Sequence, residues 1–358
     1  MHVIIRQFLT QNHSWAIVGQ NLARALLSFS HSVDLVPTDQ DKFFPLDLLN
    51  FKKEKPQEKY DVQLTYTAPL NFPNYLSHGS KNRFAIWNYE TTIVPFYFLK
   101  YFSFPDYILP SSQFSKNIFL QNKVPEEKMI VVPHGIDYQV LNSAPPLKLK
   151  TKKTFKIAAN IAQIHVRKNL HGLLLAYGQA FTKKDDVCLI LKVSLKEPKL
   201  PHELSFKSIF LDFQRKFPQH AEIETISEFI PEIGSLYQAC DVIYSLPHTE
   251  CFWLPGLEGA ACGKPSVVSN YGGHLDYLTT ENSYLIDGKI IQAPPNAQYW
   301  SASPKATMFA PSIDQTVDVL RYIYNNQSEL KEKELGLREM AQKYTWKSAA
   351  EQILNLTQ

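Results

Sequence analysis

The sequence predicts two α/β domains in tandem, each built on a parallel sheet, and three observations carry that prediction. A chain of 358 residues is long for a single core of ordinary size. Short apolar runs alternate with longer helical patterns along the chain, the rhythm of βαβ units. The rhythm breaks across Leu141–Thr154, "LNSAPPLKLKTKKT", where a Pro pair and a basic run read as a linker. The expected domains are therefore 1–145 and 146–344.

In the first domain "VII" (Val3 to Ile5) reads as a strand ahead of a polar loop. The segment "AIVGQNLARALLSF" then places Ile17, Leu22, Ala25, Leu26 and Phe29 near one helical face. "VDLV", "YDVQLTYT", "RFAIWNY", "DYILP" and "MIVVP" read as further strands, and Ser111-Ser112 offer an N-cap for "SSQFSKNIFLQN". In the second domain "FKIAAN", "VCLILKV", "EIETI", "DVIYSL" and "PSVVS" alternate with helices at "NLHGLLLAYGQAF", "ELSFKSIFLDFQRKF", "IGSLYQAC" and near Leu257 to Cys262. Helices at "IDQTVDVLRYIYNN" and "WKSAAEQILNL" close the chain. Tandem parallel-sheet domains predict a ligand held between them at the carboxyl ends of strands.

Composition narrows the function classes. Hydrophobic residues at 44% and charged residues at 20% describe a globular protein, and a net charge of +3 is too small to argue for nucleic acid. Basic residues gather at Lys148–Lys156 and at Arg167-Lys168, which suits an anionic ligand or membrane surface as well as a solvated segment. "MHVIIRQF" is too short an apolar run for a signal peptide, and no apolar run reaches the about 18 residues a membrane span needs. Cys188, Cys240, Cys251 and Cys262 lack metal-site spacing and read as reduced thiols, so a cytoplasmic protein without a metal is expected.

The most informative stretch is "HTECFWLPGLEGAACGKPSVVSN", which sets Glu250 and Glu258 eight positions apart across a loop that enters a helix at Pro255. Unpaired N–H groups at such a helix start suit hydroxyl or phosphate oxygens, and carboxylates beside them accept from sugar hydroxyls. Acids placed there for the helix dipole are the other reading. Lys168, at the start of the helix "NLHGLLLAYGQAF", is placed for an anion. No Ser-His-Asp or Cys-His set emerges, and no Asp-x-Asp appears between flanking strands.

This stretch resembles the signature of the retaining family 4 glycosyltransferases of the GT-B fold: a Glu, an apolar Gly-Leu-Pro segment, a second Glu, a small-residue helix and a "G-x-P-V" tract. "VRKNLHGLLLAYGQAF", "DYILPSSQFSKNIFLQNKVPEEKMIVVPHGID" and "SWAIVGQNLARALLSFSHSVDLV" resemble further family segments in the right order. "YTWKSAAEQILNL" resembles the closing helix, expected over 345–358 to pack back on the first domain. The resemblance implies that Glu250 accepts from the donor-sugar hydroxyls and Glu258 from the ribose hydroxyls. It implies that the backbone of Phe252, Trp253, Leu254, Pro255 and Gly256 lines the sugar, and that Arg167 and Lys168 neutralise the diphosphate. The last role also stands on chemistry, because a departing nucleoside diphosphate gains charge that fixed cations stabilise.

The sequence departs from the family pattern in places. Cys251 and Trp253 stand where many members have Gly; Trp253 either narrows the sugar pocket or faces the core. Ile161-Ala162 replaces a Gly-Arg pair, leaving Arg167 or Lys192 to substitute for a cation, unless Lys192 is a solvent-facing strand lysine. Asp276 stands where a Glu is often found after Gly-Gly. On the acceptor side the resemblance points to Glu90 in "IWNYETT", which also reads as an N-cap or exposed acid, with Gly19 in a loop where backbone approaches ligand closely and His13 beside it either on the ligand or exposed.

The implied activity is a retaining, metal-independent hexosyltransferase using a GDP- or UDP-linked sugar and a glycan or lipid-linked hydroxyl acceptor. A catalytically weak nucleotide-sugar-binding protein and a sugar-nucleotide epimerase are the alternatives. The aromatic run "VPFYFLKYFSFPDY" reads either as a core helix or as a surface for weak peripheral membrane contact.

Overall fold

Strands that are apolar on both faces demand cover on both faces, and the chain meets that demand twice. The computed structural model describes residues 1–10, 14–39, 44–77, 79, 82–161, 163–195, 204–298 and 302–357. One unit comprises Met1–Tyr89, Val94–Gly135 and Tyr344–Gln358; the other comprises Glu90–Ile93 and Ile136–Lys343.

The first unit runs β1 (His2–Gln7), α1 (Ser14–Ser28), β2 (Ser32–Pro37), β3 (Val62–Tyr66), α2 (Phe72–Tyr75), β4 (Asn82–Ile86), α3 (Phe96–Leu99), β5 (Tyr107–Leu109) and α4 (Gln113–Gln121). Its sheet is parallel throughout in the order β2-β1-β3-β4-β5. The expected strand "MIVVP" forms only a single bridge, Ile108 to Met129, continued by Ile130 N–H to the Ile108 carbonyl at 3.1 Å. The face expected for α1 holds at Leu22, Ala25 and Leu26, whereas Ile17 is 39% exposed and Phe29 lies past the helix end.

The second unit runs α5 (Tyr138–Ser143), β6 (Phe155–Ile161), α6 (Leu170–Ala180), β7 (Val187–Val193), α7 (Phe206–Lys216), β8 (Glu222–Ile226), α8 (Gly234–Gln238) and β9 (Val242–Ser245). It continues through α9 (Leu254–Ala261), β10 (Ser266–Ser269), β11 (Tyr284–Ile286), the antiparallel hairpin β12 (Gly288–Gln292) and β13 (Thr307–Pro311), α10 (Ile313–Asn325) and α11 (Ser328–Ala341). Its main sheet is parallel in the order β11-β10-β9-β6-β7-β8. Successive strands leave β6 in one direction toward β8, and the chain then returns to β9 on the other side of β6. The carboxyl ends of β6 and β9 thus flank a topological switch point, where loops diverge and leave room for a ligand. The edge strand β8 carries Glu222 and Glu224, charges that discourage further strand pairing.

Residues 136–145, expected in the first domain, belong to the second unit because α5 is tied to α8. Gln238 Nε2 donates to the carbonyls of Leu141 at 3.3 Å and Asn142 at 2.9 Å. The last helix, α12 (Trp346–Asn355), belongs to the first unit, where Ala349, Ala350 and Ile353 join the core around β1 and β3. The aromatic run divides: Phe98 and Phe102 are buried near Trp87 and Phe119, while Phe96 is 84% exposed. All four cysteines are free and buried. Among the described residues no helix is long and apolar enough to cross a membrane.

Gly135 shows how tightly α12 is seated. A methyl group there would lie 2.1 Å from the Trp346 backbone nitrogen, leaving no flexible side chain to yield. Gly135→Ala is expected to destabilise the fold by about 1–3 kcal/mol. Gly336→Ala, in the exposed middle of α11 with nothing within 4 Å, is expected to stabilise by roughly 0.5–1 kcal/mol. Urea unfolding of both variants checks the pair, and a neutral Gly135 substitution would contradict the packing.

Candidate active site

The tract after β6 folds into a tight turn before α6 begins. Lys168 N–H donates to the His165 carbonyl at 3.0 Å, and Arg167 N–H donates to His165 Nδ1 at 3.2 Å. Asn169 then takes the left-handed conformation (φ 51°, ψ 44°), which Asn tolerates better than most residues. Its side-chain oxygen accepts from Gly172 N–H at 3.0 Å to cap α6, and its Nδ2 donates to the Leu246 carbonyl at 2.9 Å. His248 N–H donates in turn to the Arg167 carbonyl at 2.7 Å. The loops after β6 and β9 are thereby joined at the switch point, and Arg167, Lys168 and Glu250 come together.

Glu250 is the centre of that meeting. Its Oε2 accepts from Arg167 Nη1 at 2.9 Å, its Oε1 accepts from Lys168 Nζ, and its side chain is 7% exposed. Arg167 Nη2 also lies 3.4 Å from Glu90 Oε1, so two cations and two carboxylates share one partly buried cluster. Burial alone would raise the Glu250 carboxyl, but Lys168 and Arg167 override it and hold the group down at about 2. Burial, together with the neighbouring Arg167, draws the Lys168 ammonium below its ordinary value against the opposing pull of Glu250 and Glu90.

The backbone around both carboxylates is pinned. Gly273 N–H donates to the Glu250 carbonyl at 2.8 Å, and Thr249 Oγ1 donates to the Glu90 carbonyl at 2.6 Å. The Gln298 amide, oriented to satisfy both neighbours, donates to Glu90 Oε2 at 3.1 Å and accepts from Thr91 N–H at 3.0 Å. Thr307 N–H, on the hairpin strand β13, donates to Thr92 Oγ1 at 2.9 Å. Glu90–Ile93 is thus built into the second unit although it precedes that unit in sequence by more than forty residues.

The segment between the two glutamates enters α9 through Trp253, which sits in the left-handed region (φ 65°, ψ 65°). A bulky residue there costs roughly 1–2 kcal/mol, so neighbours must impose it. Tyr277 Oη lies 2.8 Å from the Phe252 carbonyl and 2.7 Å from the Trp253 carbonyl, fixing the turn. The indole is 5% exposed, lies edge-on to the His274 ring at 5.6 Å and covers Gly256. Trp253 therefore faces the core, which decides between its two sequence readings. Phe252, 4% exposed, is buried beside Tyr277.

Glu258 has different partners from Glu250. Its Oε2 accepts from Tyr237 Oη at 2.8 Å, and burial pushes the carboxyl up to about 7 against the pull of that hydrogen bond. Lys192, near the end of β7, is drawn down by burial and does not join the Arg167–Lys168–Glu250 cluster. Leu254, partly buried, opens α9. Gly19 lies inside α1 and not in a loop; a methyl group on it would meet Gln7 Nε2 at 2.4 Å, so close approach of α1 to the end of β1 explains it. His13 and Ala162 lie outside the described residues. Sequence reasoning missed Tyr237, Asn160, Thr249 and Gln298, which no residue spacing marks.

No protein-family model matches the chain. A D-inositol 3-phosphate glycosyltransferase of Saccharomonospora viridis is 24% identical over 139 residues, which span 37% of this chain and 27% of that relative. Solved structures match nearly the whole chain. Anabaena HepE in complex with UDP and glucose superposes with a TM-score of 0.74 at 13% identity, covering 99% of each chain. A glycosyltransferase from Rickettsia africae gives 0.73 at 13% identity over 99% of this chain and 97% of its own. Sucrose-phosphate synthase from Thermosynechococcus elongatus gives 0.72 at 13% identity over 99% and 98%. These similarities establish the fold: two parallel-sheet α/β domains of the GT-B type.

Two outcomes test the geometry of the site. Glu250→Gln leaves two buried cations short of an anion and should lower stability at pH 7 by roughly 3 kcal/mol. The folded carboxyl lies below its ordinary value of 4.5, so its contribution is present above about 4.5 and lost as pH falls toward 2. The gap between wild type and variant in urea unfolding should therefore narrow between pH 7 and pH 3. Separately, a methyl group on Gly256 would lie 2.2 Å from the Trp253 ring. Gly256→Ala should destabilise the native chain but be tolerated once Trp253→Gly removes the indole, and additive melting shifts in that double-mutant cycle would refute the contact.

Proposed function

We propose that the protein is a glycosyltransferase that moves a hexose from a nucleotide diphosphate sugar to a hydroxyl of a glycan or lipid-linked acceptor, with retention at the anomeric carbon. The observation that carries this reading is the pairing of Arg167 and Lys168 at the β6–β9 switch point, held in register by Glu250. Two fixed cations at one point fit the two phosphates of a diphosphate leaving group, whose charge grows as the glycosidic bond breaks. They supply that charge without a metal ion. UDP is favoured over GDP by the UDP, glucose and UDP-glucose complexes of Anabaena HepE.

In this reading Arg167 and Lys168 hold the diphosphate, and the N–H groups at the start of α9 face the sugar. Glu250 accepts from sugar hydroxyls, and Glu258 accepts from the ribose. Glu90, which shares Arg167 with Glu250, meets the acceptor hydroxyl. The departing phosphate oxygen takes the acceptor proton on the same face of the sugar, so the protein contributes positioning and charge stabilisation with no covalent nucleophile. The exposed ring of Phe96 supports weak peripheral contact with the membrane that would carry a lipid-linked acceptor.

The Arg167→Ala/Lys168→Ala double variant is expected to raise the donor KM and lower kcat by about a hundredfold or more, measured with UDP- and GDP-sugars at a temperature where the variant stays folded. Wild-type turnover by that variant would sink the assignment. Anomeric retention is read from the NMR coupling of the product's anomeric proton.

A further inference from the structure

The geometry points to Tyr237 as a positioning residue, polarised by Asn160, whose hydroxyl orients the Glu258 carboxylate toward the ribose of the bound nucleotide. The inference deepens the proposed function and rests on it.

Buried tyrosines in the second unit need a partner for their hydroxyl, and most find a backbone carbonyl. Tyr177 donates to the Glu222 carbonyl at 2.8 Å, Tyr244 to the Leu173 carbonyl at 3.0 Å, and Tyr277 reaches the carbonyls of Phe252 and Trp253. Tyr237 differs by giving its proton to a side-chain carboxylate, Glu258 Oε2, at 2.8 Å. With Glu258 ionised, the direction of that bond is fixed. Asn160 Nδ2 donates to the Tyr237 oxygen at 2.9 Å, and an amide nitrogen can only donate. The single hydroxyl proton of Tyr237 is therefore committed to Glu258.

The placement connects this relay to the site. Asn160 is the next-to-last residue of β6, the strand whose end carries Arg167 and Lys168, and Glu258 lies in the second turn of α9. Tyr237, with no exposed surface, stands on α8 between them. With Oε2 held by the phenol, the carboxylate cannot rotate freely, and Oε1 keeps its acceptor capacity for ribose hydroxyls. Of the titratable groups facing Glu258, Tyr237 lies well above its ordinary value and Cys262 is raised to about 12, so neither titrates between pH 6 and 9. Lys264 and Arg338 lie beyond, toward the carboxyl end of α9.

The test measures affinity for UDP and GDP against their 2′-deoxy counterparts, in wild type and Tyr237→Phe, from pH 6 to 9. The ratio of ribo to deoxy affinity cancels the titration of the phosphates and reads the contact to the 2′-hydroxyl. Tyr237→Phe is expected to weaken ribonucleotide binding about tenfold, to weaken the deoxy forms, which keep only the 3′-hydroxyl, by less, and so to lower the ratio. In wild type the ratio should rise with pH through about 7 as Glu258 ionises. Loss of the phenol hydrogen bond, which lowers the Glu258 value, should move that rise to higher pH. Asn160→Ala should give a smaller change of the same sign, and it replaces Tyr237→Phe if that variant melts early. A wild-type ratio and pH profile in the variant overturns the positioning role while leaving the nucleotide site intact. A wild-type protein that binds none of the four nucleotides overturns this inference together with the proposed function.

Discussion

The cluster at the end of β6 and β9 follows from one constraint: a carboxylate that is 7% exposed must find cations before the chain can fold around it. Glu250 finds two, and the price is that both loops carrying the partners must be rigid. That explains the density of backbone bonds around them. The left-handed Asn169, the bond from His248 to Arg167 and the bond from Gly273 to Glu250 each remove a freedom that would let the charges separate. A cluster of this kind contributes little net stability for the effort, since desolvation offsets most of the attraction. The cluster therefore fixes where the charges stand at the switch point more than it adds stability.

The scaffold supplies the rigidity from outside the loops as well. Glu90–Ile93 leaves the sequence of the first unit and is held in the second by Thr249, Gln298 and Thr307. A small alanine-rich core, Ala293, Ala297, Ala302 and Ala306 with Met308, supports the hairpin that makes these contacts, and Ile93 packs against it. Small side chains suit that task, since they let the segment and the hairpin approach closely enough for side chain to meet backbone. The second carboxylate at Arg167 is therefore a product of packing far along the chain.

How much of this was legible in the sequence depends on which interaction sets each element. β6, β7 and β9 are near-continuous apolar runs, and buried parallel strands announce themselves that way. α11 went unread because "SELKEKELGLREMA" buries only Leu330, Leu337 and Ala341, too few for a clear stripe. The hairpin β12–β13 was missed because its strands are separated by "APPNAQYWSASPKA", which reads as loop. In the site, Arg167, Lys168 and Glu250 were singled out through the family resemblance, since spacing alone left Glu250 open to a helix-dipole reading. Tyr237 and Gln298 were not, since a tyrosine after a short apolar run and a glutamine in a proline-rich loop look like ordinary core and ordinary surface. Gly19 misled in the opposite direction: a glycine signals close approach, and here the approaching partner is Gln7 of the same unit.

Trp253 illustrates how a bulky residue can be held in a backbone conformation that favours glycine. The position demands a left-handed backbone, which glycine adopts at no steric cost and tryptophan only under compulsion. The compulsion is visible: Tyr277 reaches two consecutive carbonyls, and the indole fills the space over Gly256 beside His274. Burying an indole recovers more than the roughly 1–2 kcal/mol the conformation costs. The strain is thus offset locally, by packing on the inner side of the loop. Because the large side chain points inward, it adds to the core beneath the loop rather than to the outer side of the helix start.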